Sequence, residues 1–168
     1  SLLIFIHGTG AHKKWWYPIA PQFINYSNVI AIDLPGMGDS GFRQKYSIKD
    51  FGQCVISIIE KEQSNLDINN IFIVGHSLGG QVAGYVASEE KELVSNLIMI
   101  DTFIRPPDWD PSQNEGGPLR MIKYYSDKTT ILKRFRLLPQ QECANEWFVR
   151  YIACLLYTSP SPRDYSRS

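Results

Sequence analysis

Four short apolar runs mark the first hundred residues: Leu2 to Ile6, Val29 to Ile32, Ile71 to Val74 and Leu97 to Ile100. Each is unbroken, rich in isoleucine or valine, and bounded by polar or glycine-containing turns, as expected of strands buried on both faces. Between them the spacing changes from continuous to helical. Ile48, Phe51, Val55, Ile58 and Ile59 form one apolar face, opened by a Ser47/Asp50 capping box. Leu78, Val82, Ala83, Val86 and Ala87 form another, with Gly80 and Gly84 placed to let that helix approach the sheet. Ala11 to Phe23 is aromatic and broken by Pro18 and Pro21, which predicts a short, irregular helix. Strand and helix thus alternate four times through residues 1–101. The pattern predicts an α/β architecture, a parallel sheet flanked by helices on both faces.

From Thr102 the texture shifts. Pro106, Pro107, Pro111, Gly116, Gly117 and Pro118 predict a loop, and Leu119 to Ala153 reads as two or three amphipathic helices without strands. The second of these is basic through Lys128, Lys133, Arg134 and Arg136, which reads as a solvated face. Trp147, Phe148, Tyr151 and Ile152 predict a buried side for the last. Residues 154–168 turn abruptly rich in proline and serine, and the helix is expected not to continue into them.

The charge adds exclusions. Seventeen basic residues balance seventeen acidic ones, with no basic run, so neither nucleic acid nor an anionic membrane surface is suggested as a partner. No apolar run approaches a bilayer span. Three scattered histidines and three widely spaced cysteines make neither a metal cluster nor a disulfide framework, and no cofactor is expected.

Candidate chemistry concentrates at the ends of the apolar runs. Gly75-His76-Ser77-Leu78-Gly79-Gly80 follows the third run directly and precedes the second helical pattern. A nucleophile elbow needs that order: strand, a strained turn carrying the serine, then helix. Gly75 and Gly79 stand two positions either side of Ser77, where a side chain would collide with the backbone folding past it. The turn lifts the Ser77 hydroxyl over the helix N-terminus, where the Leu78 N–H and the helix dipole favour a developing oxyanion. Two further turns end neighbouring runs: His7-Gly8-Thr9-Gly10, and the tight loop Asp33 to Gly41.

Together these three motifs resemble the α/β-hydrolase family, in its group that carries a helical cap. Gly75 to Gly80 is similar to the family elbow, His7 to Gly10 to its oxyanion loop, and Asp33 to Ser40 to its D-x-x-G-x-G-x-S loop. The resemblance spans residues 2 to about 153 and implies Ser77 as nucleophile, with the N–H groups of Thr9 and Leu78 as oxyanion hole. It places a partial hydrolase core at 1–101 and an incomplete helical cap at 102–153. A small-molecule acyl substrate, an ester or thioester, is implied, and Trp15 and Trp16, with Trp109, are candidates to line an apolar acyl pocket. Dehalogenases and epoxide hydrolases resemble this fold but carry an aspartate where Ser77 stands.

The chain departs from the family at the proton-transfer groups. The family order is nucleophile, acid, histidine, and no histidine follows His76. His76 itself, adjacent to Ser77, is expected to point away, and His7 is expected to be structural. Asp101, at the end of the fourth run, is a candidate acid. Residues 154–168 resemble a translated sequencing adapter, so the chain is expected to be a fragment, inactive alone, lacking the strands that carry the histidine. Carbon–carbon bond hydrolysis or lysis on the same scaffold, and a hydrolase-like binding protein without a triad, remain open alternatives. Substrate identity, oligomeric state and compartment are not legible.

Overall fold

The computed structural model describes residues 1–104, 127–135 and 142–158. Its centre is a four-stranded parallel sheet: β1 (Leu2–Ile6), β2 (Asn28–Ile32), β3 (Ile71–His76) and β4 (Val94–Ile100), in the order β2-β1-β3-β4. Helix α1 (Ile48–Asn65) joins β2 to β3, and α2 (Leu78–Glu89) joins β3 to β4. The chain therefore moves outward from β1 to β2, then crosses back to β3 on the other side. The crevice above the carboxyl ends of β1 and β3 is a topological switch point, where open parallel sheets bind ligands.

Strand alternation divides the core. Leu2, Ile4, Ile6, Ile71 and Ile73 pack against Val55, Ile59, Val82 and Val86 of α1 and α2. The opposite side chains, Leu3, Phe5 and Val74, pack against Trp16 and Ala20. Both faces of the two central strands are buried, which is why they read as continuous apolar runs.

The irregular helix predicted for Ala11 to Phe23 is instead two 3-10 turns, Lys13–Trp16 and Ala20–Phe23. Pro18 and Pro21 remove the amides a longer helix would need. Helical cover on that face is consequently short, and the outer side of β4 is open there: Ile98 is 55% and Ile100 42% exposed. Strand β4 begins three residues earlier than the apolar run, through a bulge at which Ser95 Oγ accepts the Ile71 N–H at 3.2 Å.

Ser47 caps α1 as expected, its Oγ accepting the Asp50 N–H at 3.1 Å. The reciprocal half differs, because the short Asp50 carboxylate closes on Ser47 Oγ at 2.6 Å rather than on the Ser47 amide. Gly84 is also not what lets α2 approach the sheet, since an added Cβ would meet only Met99, at 3.6 Å. The close approach is made by Gly79, whose Cβ would strike the backbone oxygens of Ile6 and His7.

Two further helices are described, α3 (Lys128–Arg134) and α4 (Glu146–Thr158). Helix α4 does not break at residue 154 as predicted; Cys154 and Leu155 extend it to Thr158, two residues before Pro160, which cannot continue a helix. Ile152 and Ala153 are buried, but Trp147 is 60% exposed, stacked on Tyr151 with ring centroids 5.4 Å apart. Tyr151 Oη donates to the Lys14 carbonyl at 2.7 Å and ties α4 to the first 3-10 turn. Trp109, Arg136 and the predicted loop and helix start between 105 and 126 lie outside the described residues, as does the tail from 159. Among the described residues no helix is long and apolar enough to cross a membrane.

Candidate active site

The site is assembled where β1, β2 and β3 end. Ser77 is the residue between β3 and α2, with φ 52° and ψ −115°. This is left-handed backbone that a non-glycine residue occupies only under constraint. The constraint is visible on both sides. A Cβ on Gly75 would strike the Gly79 carbonyl and approach Gly80 Cα to 2.6 Å, so strand and helix meet in backbone contact. Ser77 N–H donates to the Ile100 carbonyl at 2.9 Å, and the Ser77 carbonyl accepts from Gly80 N–H at 3.0 Å. Gly8 lies against the turn, where its Cβ would stand 3.1 Å from Ser77 Cβ.

Leu78 is the first residue of α2, and its N–H belongs to the unpaired first turn. Thr9 follows Gly8 on the exposed lip of the neighbouring turn. Among the described residues neither amide has an acceptor. Leu78 thus follows Ser77 directly at the start of α2, and Thr9 follows the glycine that touches Ser77.

The turn holding Thr9 is fastened to the end of β2. His7, 1% exposed, lies with Nδ1 2.8 Å from the Gly8 carbonyl and Nε2 3.1 Å from the Leu34 N–H. Burial holds this imidazole below its ordinary pKa, against the Gly8 hydrogen bond and Asp33, which favour the charged form. Both ring nitrogens are engaged, so His7 is structural, as expected. Asp33 adds a second fastening: Oδ1 accepts the Lys13 N–H at 2.7 Å, and Oδ2 accepts Lys13 Nζ at 2.8 Å and the Asp39 N–H at 2.9 Å. Ser40 Oγ donates to the Asp33 carbonyl at 2.7 Å. Burial pushes the Asp33 carboxyl up, yet Lys13 and the two amides outweigh it and hold the group below its ordinary range. Lys13, shared between Asp33 and Asp39, is held well above the usual lysine range. Lys13 was missed by sequence reasoning, because its partner stands twenty residues away in a different turn.

The remaining candidates are less closely joined. His12 is buried against the Leu155 backbone of α4 and kept below its ordinary pKa by desolvation. His76 Nε2 is 3.9 Å from Asp101 Oδ2, beyond hydrogen-bond distance. Asp101 stands at the end of β4 with φ 47° and its side chain 86% exposed. Among the described residues no imidazole is hydrogen-bonded to Ser77 Oγ.

A cavity of about 510 Å³ opens beside the turn, reaching Gly8, His76 and Asp101 at one end. Trp15 and Trp16 line it with Ile19, Phe148 and Ile152. The Trp16 ring also packs on Phe5, centroids 4.9 Å apart, so it serves the core as well as the cavity wall.

The family model for the alpha/beta hydrolase fold matches residues 1–138. The pimeloyl-[acyl-carrier protein] methyl ester esterase of Pseudoalteromonas atlantica is 31% identical over 131 residues, covering 73% of this chain and 48% of that protein. The enzyme of the same name from Neisseria meningitidis is 33% identical over 100 residues, 60% of this chain and 36% of that protein. Among solved structures, MenH from S. aureus superposes with a TM-score of 0.55 at 27% identity, covering 63% of this chain and 40% of that one. The chain spans about half the length, or less, of the curated relatives it matches. It belongs to the alpha/beta hydrolase family.

Proposed function

We propose that this alpha/beta hydrolase is, as a whole protein, a serine hydrolase cleaving a carboxylic ester, thioester or related acyl bond. The observation that carries the reading is the strained, positive-φ Ser77 turn at the start of α2, set against Gly8. Ser77 Oγ attacks the carbonyl carbon, and the carbonyl electrons move to an oxygen held by the N–H groups of Leu78 and Thr9. Such preorganised donors typically contribute about 3 kcal/mol each to the transition state. A base takes the Ser77 proton and returns it to the leaving alcohol or thiol, and water then cleaves the acyl-enzyme.

Neither His7, with both nitrogens bonded, nor His12, buried under α4, is offered as that base. We assign it to a histidine outside these 168 residues. Asp101 is the candidate acid on its place at the carboxyl end of β4. Trp15 and Trp16 shape the wall for an apolar acyl group. Two relatives named as methyl ester esterases favour a carboxylic ester.

The test uses the whole protein, a fluorophosphonate probe and a nitrophenyl ester. Ser77→Ala is expected to abolish labelling and to lower kcat by roughly 10⁶-fold with an unchanged melting curve. Labelling that persists in Ser77→Ala would remove the nucleophile assignment. A wild-type protein that neither labels nor turns over would instead be a hydrolase-like binding protein. Asp101→Asn decides the acid: a fall of about 10⁴ in kcat supports it, and an unchanged kcat removes it.

A further inference from the structure

We infer that Thr102 is a positioning residue for the nucleophile: its hydroxyl, lying between the Ser77 and Ile100 carbonyls, locks the strained Ser77 backbone to the end of β4. The inference rests on the role proposed above for Ser77 and adds the group that keeps its backbone in place.

Ser77 keeps φ 52° and ψ −115°, a backbone that persists only where the surroundings over-determine it. Its two halves are held from different places. The N–H donates to the Ile100 carbonyl at 2.9 Å, which ties that half to β4. The carbonyl accepts from the Gly80 and Gln81 N–H groups at 3.0 and 3.3 Å, bonds that move with α2. Thr102 supplies the link between them. Its Oγ1 lies 3.3 Å from the Ser77 carbonyl oxygen and 3.1 Å from that of Ile100, its single proton shared between the two acceptors. The hydroxyl therefore closes a ring, with the Ser77 N–H on Ile100 and Thr102 on both Ile100 and Ser77. The last glycine of the Gly75 to Gly80 motif is accounted for by the same contact. A Cβ at Gly80 would collide with Thr102 Oγ1 and stand 2.9 Å from both Cβ and Cγ2, so the hydroxyl reaches Ser77 through the space this glycine leaves. One residue further along each segment, Gln81 Nε2 donates to the Phe103 carbonyl at 3.2 Å and joins α2 to the exit of β4 again. A serine hydroxyl moves with its own backbone, and a misplacement of about 1 Å at a reacting group can cost on the order of 10²-fold.

A pair of substitutions separates this role from general support. Thr102→Val keeps the branched shape and removes the donor, while Thr102→Ser keeps the donor and removes a methyl group. Both are made in the whole protein, and turnover of a nitrophenyl ester, the rate of fluorophosphonate labelling and the melting temperature are measured. Thr102→Val is expected to lower kcat and the labelling rate together by about 10-fold, with KM within about twofold. Thr102→Ser is expected to stay within about threefold of wild type. Hydrogen exchange of the Ser77 amide, read by NMR, should quicken by about 10-fold in Thr102→Val and stay unchanged in Thr102→Ser. Wild-type turnover in Thr102→Val, equal losses in the two variants, or losses that follow their melting temperatures would overturn the inference. So would an exchange rate indifferent to the hydroxyl, whatever the activity. Failure of the serine-hydrolase reading is distinguishable, because labelling then persists in Ser77→Ala or is absent from the wild type. That outcome leaves no nucleophile to position and overturns the inference with it, even where the exchange rates respond.

Discussion

Along the carboxyl edge of the sheet, the end formed by β1, β2 and β3 and the end formed by β4 are built by different means. On the first, His7 and Asp33 are buried and bonded to amides of neighbouring turns, and three glycines bring backbones into contact. On the second, Asp101 projects its carboxylate into solvent 3.9 Å from His76, and Ile98 and Ile100 stand open beneath it. The difference parallels the two tasks of the acyl transfer proposed for this site. Oxyanion binding asks for backbone N–H groups, which the ends of two adjacent strands supply by themselves. Proton transfer asks for side chains held at fixed angles, and that needs packing from several elements. The amides proposed for the first task belong to residues 1–101, while the second has no fixed geometry among the described residues.

The largest expected effect breaks the well-built end through its backbone. Gly79→Ala would drive a methyl group into the carbonyls of Ile6, the last residue of β1, and of His7, just beyond it. A cost of at least about 3 kcal/mol is expected in urea unfolding. Gly84→Ala, on the same helix, meets only Met99 at 3.6 Å, and is expected to be neutral or to stabilise by up to about 1 kcal/mol. Equal costs at the two positions would show that backbone approach does not limit this end.

The comparison is sharpened by making one substitution at both ends. Asp33→Asn replaces an acceptor of three hydrogen bonds by a group that turns a donor toward Lys13, and about 2 kcal/mol of stability should go. Asp101→Asn removes the same charge from an exposed site and should change stability by no more than about 0.5 kcal/mol, whatever it does to kcat. Matching melting temperatures for the two variants would dissolve the contrast between them.

How much of this was legible in the sequence divides along the same line. Strands β1 to β3, the elbow and the Asp33 loop depend on residues adjacent in the chain, so periodicity and turn chemistry disclose them. Gly75 was legible for the same reason, its crowding by Gly79 and Gly80 being a property of the turn, whereas what crowds Gly79 is the end of β1, far away in the chain. Lys13 and the double bonding of His7 were not legible, since their partners lie twenty and twenty-seven residues away. The start of β4 was missed because Ser95 and Asn96 are polar and are drawn into the strand by pairing with β3. The end of α4 was misjudged because composition changes at residue 154 while helix propensity does not.

The smallest effect is a pH dependence that belongs to the well-built end and its flank. Burial lowers the pKa of His7 and of His12 below the ordinary 6.5, so the unfolded chain binds more protons than the folded one between that value and the folded pKa values. Their contribution to stability is intact above pH 6.5 and is lost as pH falls through that window. Each imidazole contributes at most about 1.4 kcal/mol per pH unit. Asp33 acts in a separate range. Its folded pKa is lowered too, so its contribution is present above 3.8 and is lost only as pH drops below that. Urea midpoints taken from pH 7.5 to 4.5 should therefore decline below about 6.5, and the decline should be shallower in His7→Asn, which has no group to titrate. A midpoint flat across that range would show that folding does not lower the proton affinity of His7 or His12, against the burial that both residues have in the fold.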